Sequence, residues 1–191
     1  MVGAMLSYPA RYKFELLNAI QSLDLDKVNQ VIEIFDEART AGQRIFVCGR
    51  GADFAASQSL SEMVSNAPAT GSSRFRILAL SDQVSPRGGN YHPESHSDRV
   101  FVEQLKNVAE PDDVVLGISV SGNAPSVLHA IEYASWIGCK TIAVTGPEAG
   151  AVSLLADITI DVPVSHLASV EDAHLIICHM IGYYFVERTN D

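Results

Sequence analysis

Basic residues are scarce in this chain. Its 191 residues carry 13 Lys and Arg against 23 Asp and Glu, a net charge of −10 at pH 7. A surface of that sign works against partners bound through phosphate neutralisation, so neither duplex nucleic acid nor an anionic membrane is expected. A small anion is a different matter, because a local nest of backbone amides holds phosphate inside an acidic protein. Cysteine is sparse too: Cys48, Cys139 and Cys178 stand far apart, without CxxC or metal-finger spacing. So thin and odd a set fits a reducing compartment better than secretion. No apolar run approaches the ~18 residues of a membrane helix, and the first residues lack the apolar centre of a signal peptide. The expectation is a cytoplasmic globular protein. Nucleotide fingerprints are missing as well. No Gly-Lys-Ser/Thr loop occurs, and Gly49-Arg50-Gly51 falls short of GxGxxG because Phe54 holds the last glycine's place.

Apolar residues are plentiful, at 47% of the chain, enough for a core without disulfides or structural metal. The length suits one domain over residues 1–191. Tyr12, Leu16, Leu17, Ile20 and Leu23, then Val28, Val31, Ile32, Ile34 and Phe35, follow helical spacing, so residues 1–42 read as a helical pair. Asp24-Leu25-Asp26 offers a helix start and Ala41-Gly42 a stop. Residues 43–191 change character. Short apolar runs at 44–48, 75–80, 114–119, 140–145 and 158–162 read as buried strands. Helical stretches at 54–65, 99–108, 124–137, 149–156 and 170–188 separate them. Such alternation predicts α/β architecture: a three-layer sandwich around a five-stranded parallel sheet.

In such sheets ligands bind beyond the carboxyl ends of the strands, near a topological switch point. Two turns qualify. Ser119-Val120-Ser121-Gly122-Asn123-Ala124-Pro125-Ser126 joins the third strand to a helix, bringing alternate hydroxyls and the open amides of a new helix. The pattern serves as helix cap or as anion site. The other turn, Gly49-Arg50-Gly51-Ala52-Asp53, follows the first strand, and Arg50 is placed to meet a phosphate or to pair with Asp53.

These residues resemble a known family. Ile118-Ser119-Val120-Ser121-Gly122-Asn123 is similar to the Ser-x-Ser-Gly-Asn signature of the sugar isomerase (SIS) domain. Cys48-Gly49-Arg50-Gly51 resembles its Cys-Gly-Asn-Gly turn. Glu171-Asp172-Ala173-His174, with His179, is similar to the Gln-Glu-x-His…His helix of the phosphoheptose isomerase branch. Val144-Thr145-Gly146-Pro147 and Asp157-Ile158-Thr159-Ile160 extend the likeness over almost the whole chain. The resemblance implies a flavodoxin-like five-stranded parallel fold, a homo-oligomer (dimer or tetramer) and a phosphorylated sugar as ligand. It implies aldose–ketose isomerisation, or, as in the DnaA-initiator-associating branch, a non-catalytic protein that binds a sugar phosphate or a protein partner.

Carried over by position, Ser119 and Ser121 would hold the phosphate with amides of Gly122 and Asn123, beside Gly51. Ala124 replaces a further serine, for which Ser126 would stand in. The phosphate-side serine after the first strand falls on Asp53, a carboxylate that repels phosphate unless Arg50 or a cation offsets it. The branch's glutamate falls on Met63, with Glu62 one residue earlier and ~100° away around the helix. Its preceding histidine, a metal ligand in some members, falls on Ser59. The partner glutamine falls on Glu171, and the last-helix histidine is kept as His179. Isomerisation needs a base and an acid: His179 is the expected acid/base, with Glu62 or Glu171 as the second group. Zinc is the cofactor that some members imply; no metal ligand is assigned here.

Each candidate has a plainer reading beside it. Glu171 also reads as a first-turn acid favoured by the helix dipole. His174 reads as structural or interfacial. Asn90 to His96, with His92 and Glu94, reads mainly as a solvated loop, with metal binding or site completion as the sharper alternative. Tyr183, Tyr184 and Phe185 read first as core and second as an oligomer surface.

Overall fold

The structure, a computed structural model, describes residues 7–70, 72–80 and 98–188. Two helices open it, α1 (Tyr8–Gln21) and α2 (Leu25–Ala41). Asp24 caps α2 by accepting from the amides of Asp26 and Lys27 at 3.1 and 3.2 Å. Gly42 ends it in the left-handed region at φ 72°, as Ala41-Gly42 predicts. There follow β1 (Arg44–Cys48), α3 (Ala52–Ser65), β2 (Arg76–Ala79), α4 (Val100–Val108), β3 (Val114–Ser119), α5 (Pro125–Ile137), β4 (Lys140–Thr145), β5 (Ile158–Asp161) and α6 (Leu167–Glu187).

All the strand pairs are parallel, in the order β2-β1-β3-β4-β5. Because successive side chains point to opposite faces, the strands feed two cores. Ile45, Val47, Leu116, Ile118, Ile142 and Val144 pack under α2, α3 and α6, with α1 beyond them. Phe46, Cys48, Val115 and Ala143 pack under α4 and α5. Every residue of β3 is buried, which is why its sequence is a near-continuous apolar run.

Several expected bounds move by one or two residues, and two elements differ more. The helix predicted over 149–156 is a single 3₁₀ turn, Ala151–Leu154. Ala149 and Gly150 sit at φ 54° and 63°, a conformation no right-handed helix passes through. The last helix begins at Leu167 instead of Val170, ahead of the apolar periodicity. Its start is held from outside: Tyr12 of α1 meets the His166 ring edge-on at 5.3 Å, and His166 Nδ1 lies 2.7 Å from Ser169 Oγ. No helix among the described residues is long and apolar enough to cross a membrane.

Candidate functional site

The order β2-β1-β3-β4-β5 reverses direction between β1 and β3, and there the turns after the two strands part. The cleft between them holds about 330 Å³ and is lined by Arg50, Asp53, Ser119, Ser121, Ala124 and Glu171, among others. Both predicted turns and one predicted α6 residue thus meet at one place.

The serine turn is braced from behind. Gly122 sits at φ 62°, and a Cβ there would lie 1.9 Å from the Ala149 carbonyl oxygen, so only glycine fits. The Val152 amide donates to the Gly122 carbonyl at 3.0 Å, and that of Gly146 to the Val120 carbonyl at 2.9 Å. Asn123 completes the brace. Its Oδ1 accepts from the Ala151 amide at 2.8 Å and its Nδ2 donates to the Ser121 carbonyl at 3.0 Å. The Gly122 amide donates to the Ser119 carbonyl and the Asn123 amide to Ser121 Oγ. Both amides named as phosphate donors are therefore engaged within the turn. Among the described residues the amides of Ser121, in the turn, and Ala124, the N-cap of α5, meet no acceptor. These residues and Ser119 line the cleft, so two hydroxyls and two amides without an acceptor sit on its wall.

Ser126 lies elsewhere. Its side chain is buried, its hydroxyl has no partner among the described residues, and it is not among the cleft's lining residues. Inside the first turn of α5 its Cβ direction is set by the helix, which turns it toward the interior. Gly51 is the N-cap of α3, at φ 60°, and is not among the cleft's lining residues.

Asp53 points inward. Its Oδ1 lies 2.8 Å from His174 Nδ1 and its Oδ2 accepts from the Val120 amide at 3.3 Å. No Arg50–Asp53 ion pair forms among the described residues, which leaves the exposed Arg50 facing the cleft. His174 was the residue whose role the sequence concealed. Its place near Glu171 on an apolar helix was visible; a partner 121 positions away was not.

The remaining candidates lie along the seam between α3 and α6. Ser59 Oγ is 3.2 Å from His179 Nε2, and Tyr183 meets that ring edge-on at 5.8 Å. Met63, one turn beyond Ser59, packs on Gly182, where an added Cβ would come within 2.7 Å of Met63 Cε. Glu62 is exposed on another side of α3, as the one-residue offset predicts. Glu171 lines the cleft; His179, ~12 Å further along the helix axis, does not. Phe185 is buried, as expected of core, while Tyr183 and Tyr184 are 47% and 44% exposed. The Asn90–His96 cluster lies outside the described residues.

Residues 10–146 match the SIS domain family. The chain belongs to the SIS domain family. It is 30% identical over 171 residues to a probable phosphoheptose isomerase of Thermoplasma acidophilum, covering 90% of this chain and 93% of that one. It is 27% identical over 175 residues to the phosphoheptose isomerase of Syntrophotalea carbinolica, covering 88% and 87%. The fold is that of phosphoheptose isomerase GmhA from Neisseria gonorrhoeae, with a TM-score of 0.78 at 21% identity over 95% of this chain and 96% of that chain.

The zinc of some SIS proteins finds a poor set of donors here. Three or more His, Cys, Asp or Glu side chains converge nowhere among the described residues. Around His179 the positions hold the Ser59 hydroxyl, already within hydrogen-bond distance of that imidazole, and the Met63 thioether packed on a glycine. Zinc takes Cys, His and carboxylate ligands at four tetrahedral positions. These residues do not fit it.

Proposed function

We propose that this SIS protein is a sugar-phosphate isomerase of the phosphoheptose isomerase type. One observation carries the reading. Arg50, Ser119, Ser121 and Ala124 line one switch-point cleft, and the amides of Ser121 and Ala124 have no acceptor among the described residues. Hydroxyls, amides at a helix start and a guanidinium together suit a phosphate monoester. Phosphoheptose isomerases are its relatives in sequence, so a ketose phosphate such as sedoheptulose 7-phosphate is the substrate class.

With the phosphate in the cleft, the sugar chain runs past Glu171 toward His179 along α6. Isomerisation moves a proton between the carbonyl carbon's neighbour and the carbonyl carbon through an enediol, while the oxygens exchange a proton. His179 is the acid/base and Glu171 the second group. Three free, buried cysteines suit the cytoplasm. The exposed Tyr8, Phe14 and Leu17 on α1 support a homo-oligomer, dimer or tetramer.

A second reading has its own support. Met63 and Ser59 stand where the branch carries reactive groups, which favours a protein that binds a sugar phosphate without turning it over. Steady-state assays with pentose, hexose and heptose phosphates decide between them. The isomerase reading expects turnover that drops about 100-fold or more in His179→Ala, with ligand-induced thermal stabilisation retained. Stabilisation by the same sugars with no turnover on any of them selects the second reading.

A further inference from the structure

Asp53 is the feature of the cleft that the expected ligand does not explain. A carboxylate lies beneath a turn built for an anion, and like charges repel. Yet both of its oxygens are engaged from within, one by His174 Nδ1 at 2.8 Å and one by the Val120 amide at 3.3 Å. Val120 separates Ser119 from Ser121, so the carboxylate holds the residue that spaces the two hydroxyls. The His174 side chain is 0% exposed and that of Asp53 9%. His174 Nε2 meets no partner among the described residues. The polar engagement of this buried ring is therefore with Asp53.

We propose that Asp53 and His174 are a positioning pair for the anion-binding turn. The carboxylate fixes the Val120 amide, and the imidazole offsets the carboxylate so that an anionic ligand can settle above it. This rests on the phosphate reading of the cleft. It gives Asp53 no direct contact with the ligand, although the residue stands where the resemblance places a phosphate-holding serine. Charge, more than shape, then decides what substitutions do. Removing the imidazole leaves a lone carboxylate beside the incoming anion. Neutralising the carboxylate relieves that repulsion.

Calorimetric titration of the full chain with inorganic phosphate, and separately with sedoheptulose 7-phosphate, tests the pair. His174→Leu is expected to bind phosphate about tenfold more weakly or worse. Asp53→Asn keeps an oxygen for the Val120 amide and can pair with the other His174 tautomer, so it binds phosphate as tightly as the native chain or tighter. The double variant returns to within about threefold of native, a rescue that a purely structural role does not give. Two results overturn the proposal: a tenfold loss in Asp53→Asn, or a His174→Leu protein that melts lower yet binds phosphate like the native chain. Should His174→Leu fail to fold, Asp53→Asn carries the test alone. If the native protein binds neither probe, the reading of the cleft falls and this pair with it. Native binding with the variants out of order overturns the pair alone.

Discussion

Met63 and Ser59 lie one turn apart on the face of α3 that meets His179 and Gly182, and neither side chain can take a proton from carbon. A carboxylate at position 63 would stand near the His179 imidazole, which Ser59 meets one turn away. Glu is close to Met in length, so the exchange keeps the reach of the side chain while adding a base. Met63→Glu is expected to raise kcat on a ketose phosphate at least about tenfold. The melting temperature should fall by a few degrees, because the new charge is partly withdrawn from water against Gly182. Initial-rate assays beside thermal melts read both effects. A variant that folds but gains nothing argues that His179 is not the group that moves the proton.

Helices α3 and α6 approach closely because Gly182 leaves room for Met63. In Gly182→Ala the new Cβ would lie 2.7 Å from Met63 Cε and 3.0 Å from its Cβ. Overpacking of that kind costs about 1–3 kcal/mol, which exceeds the ~1 kcal/mol helix-propensity gain of alanine over glycine. Urea unfolding should therefore show a net loss, and adding Met63→Ala should cost less than the two single losses combined. Helix α1 is tied to α6 differently, by Tyr12 donating to Asp172 Oδ2 at 2.6 Å. That bond, then burial and the charge of Asp172, push the phenol up from 10.0 to about 12. The fold thus favours the neutral phenol, so the contribution is full below pH 10 and is lost as pH rises through about 12. Tyr12→Phe should cost about 1 kcal/mol at pH 7, and the gap between native and variant should close above pH 10. The elements themselves were legible because β3 is a near-continuous apolar run and β4 has Ile142-Ala143-Val144 at its centre, both between turn residues, and Asp24 and Gly42 mark helix ends by local chemistry. The direction of a side chain was less legible. Asp53 turned inward because a histidine distant in sequence took it, and Ser126 turned inward with its helix. Neither fact has a local signal.

Across the whole molecule, the two faces of the sheet each bury a thiol. Cys48 sits with Phe46 and Leu105 under α4 and α5, and Cys178 with Ile118 and Ile177 in the other core. Burial pushes both thiols up to about 12, far from the thiolate that reacts. Cys139 is raised to about 11, also chiefly by burial; it is 7% exposed near the opposite end of the sheet and donates to the Glu110 carbonyl. A thiol reagent at pH 8 should therefore reach Cys139 first, through local opening, and the other two only when their layers separate. If residues 7–188 unfold as one cooperative body, Cys48 and Cys178 become labelled at the same rate, and that rate follows global unfolding as urea is raised. Pulse labelling with mass-spectrometric readout measures both sites in one sample. Rates that differ by more than about tenfold would mean that the two helical layers open independently. The cleft, whose lining comes from α3, β3, α5, α6 and the turns after β1 and β3, would then be held together by the sheet alone and not by the closure of both cores upon it.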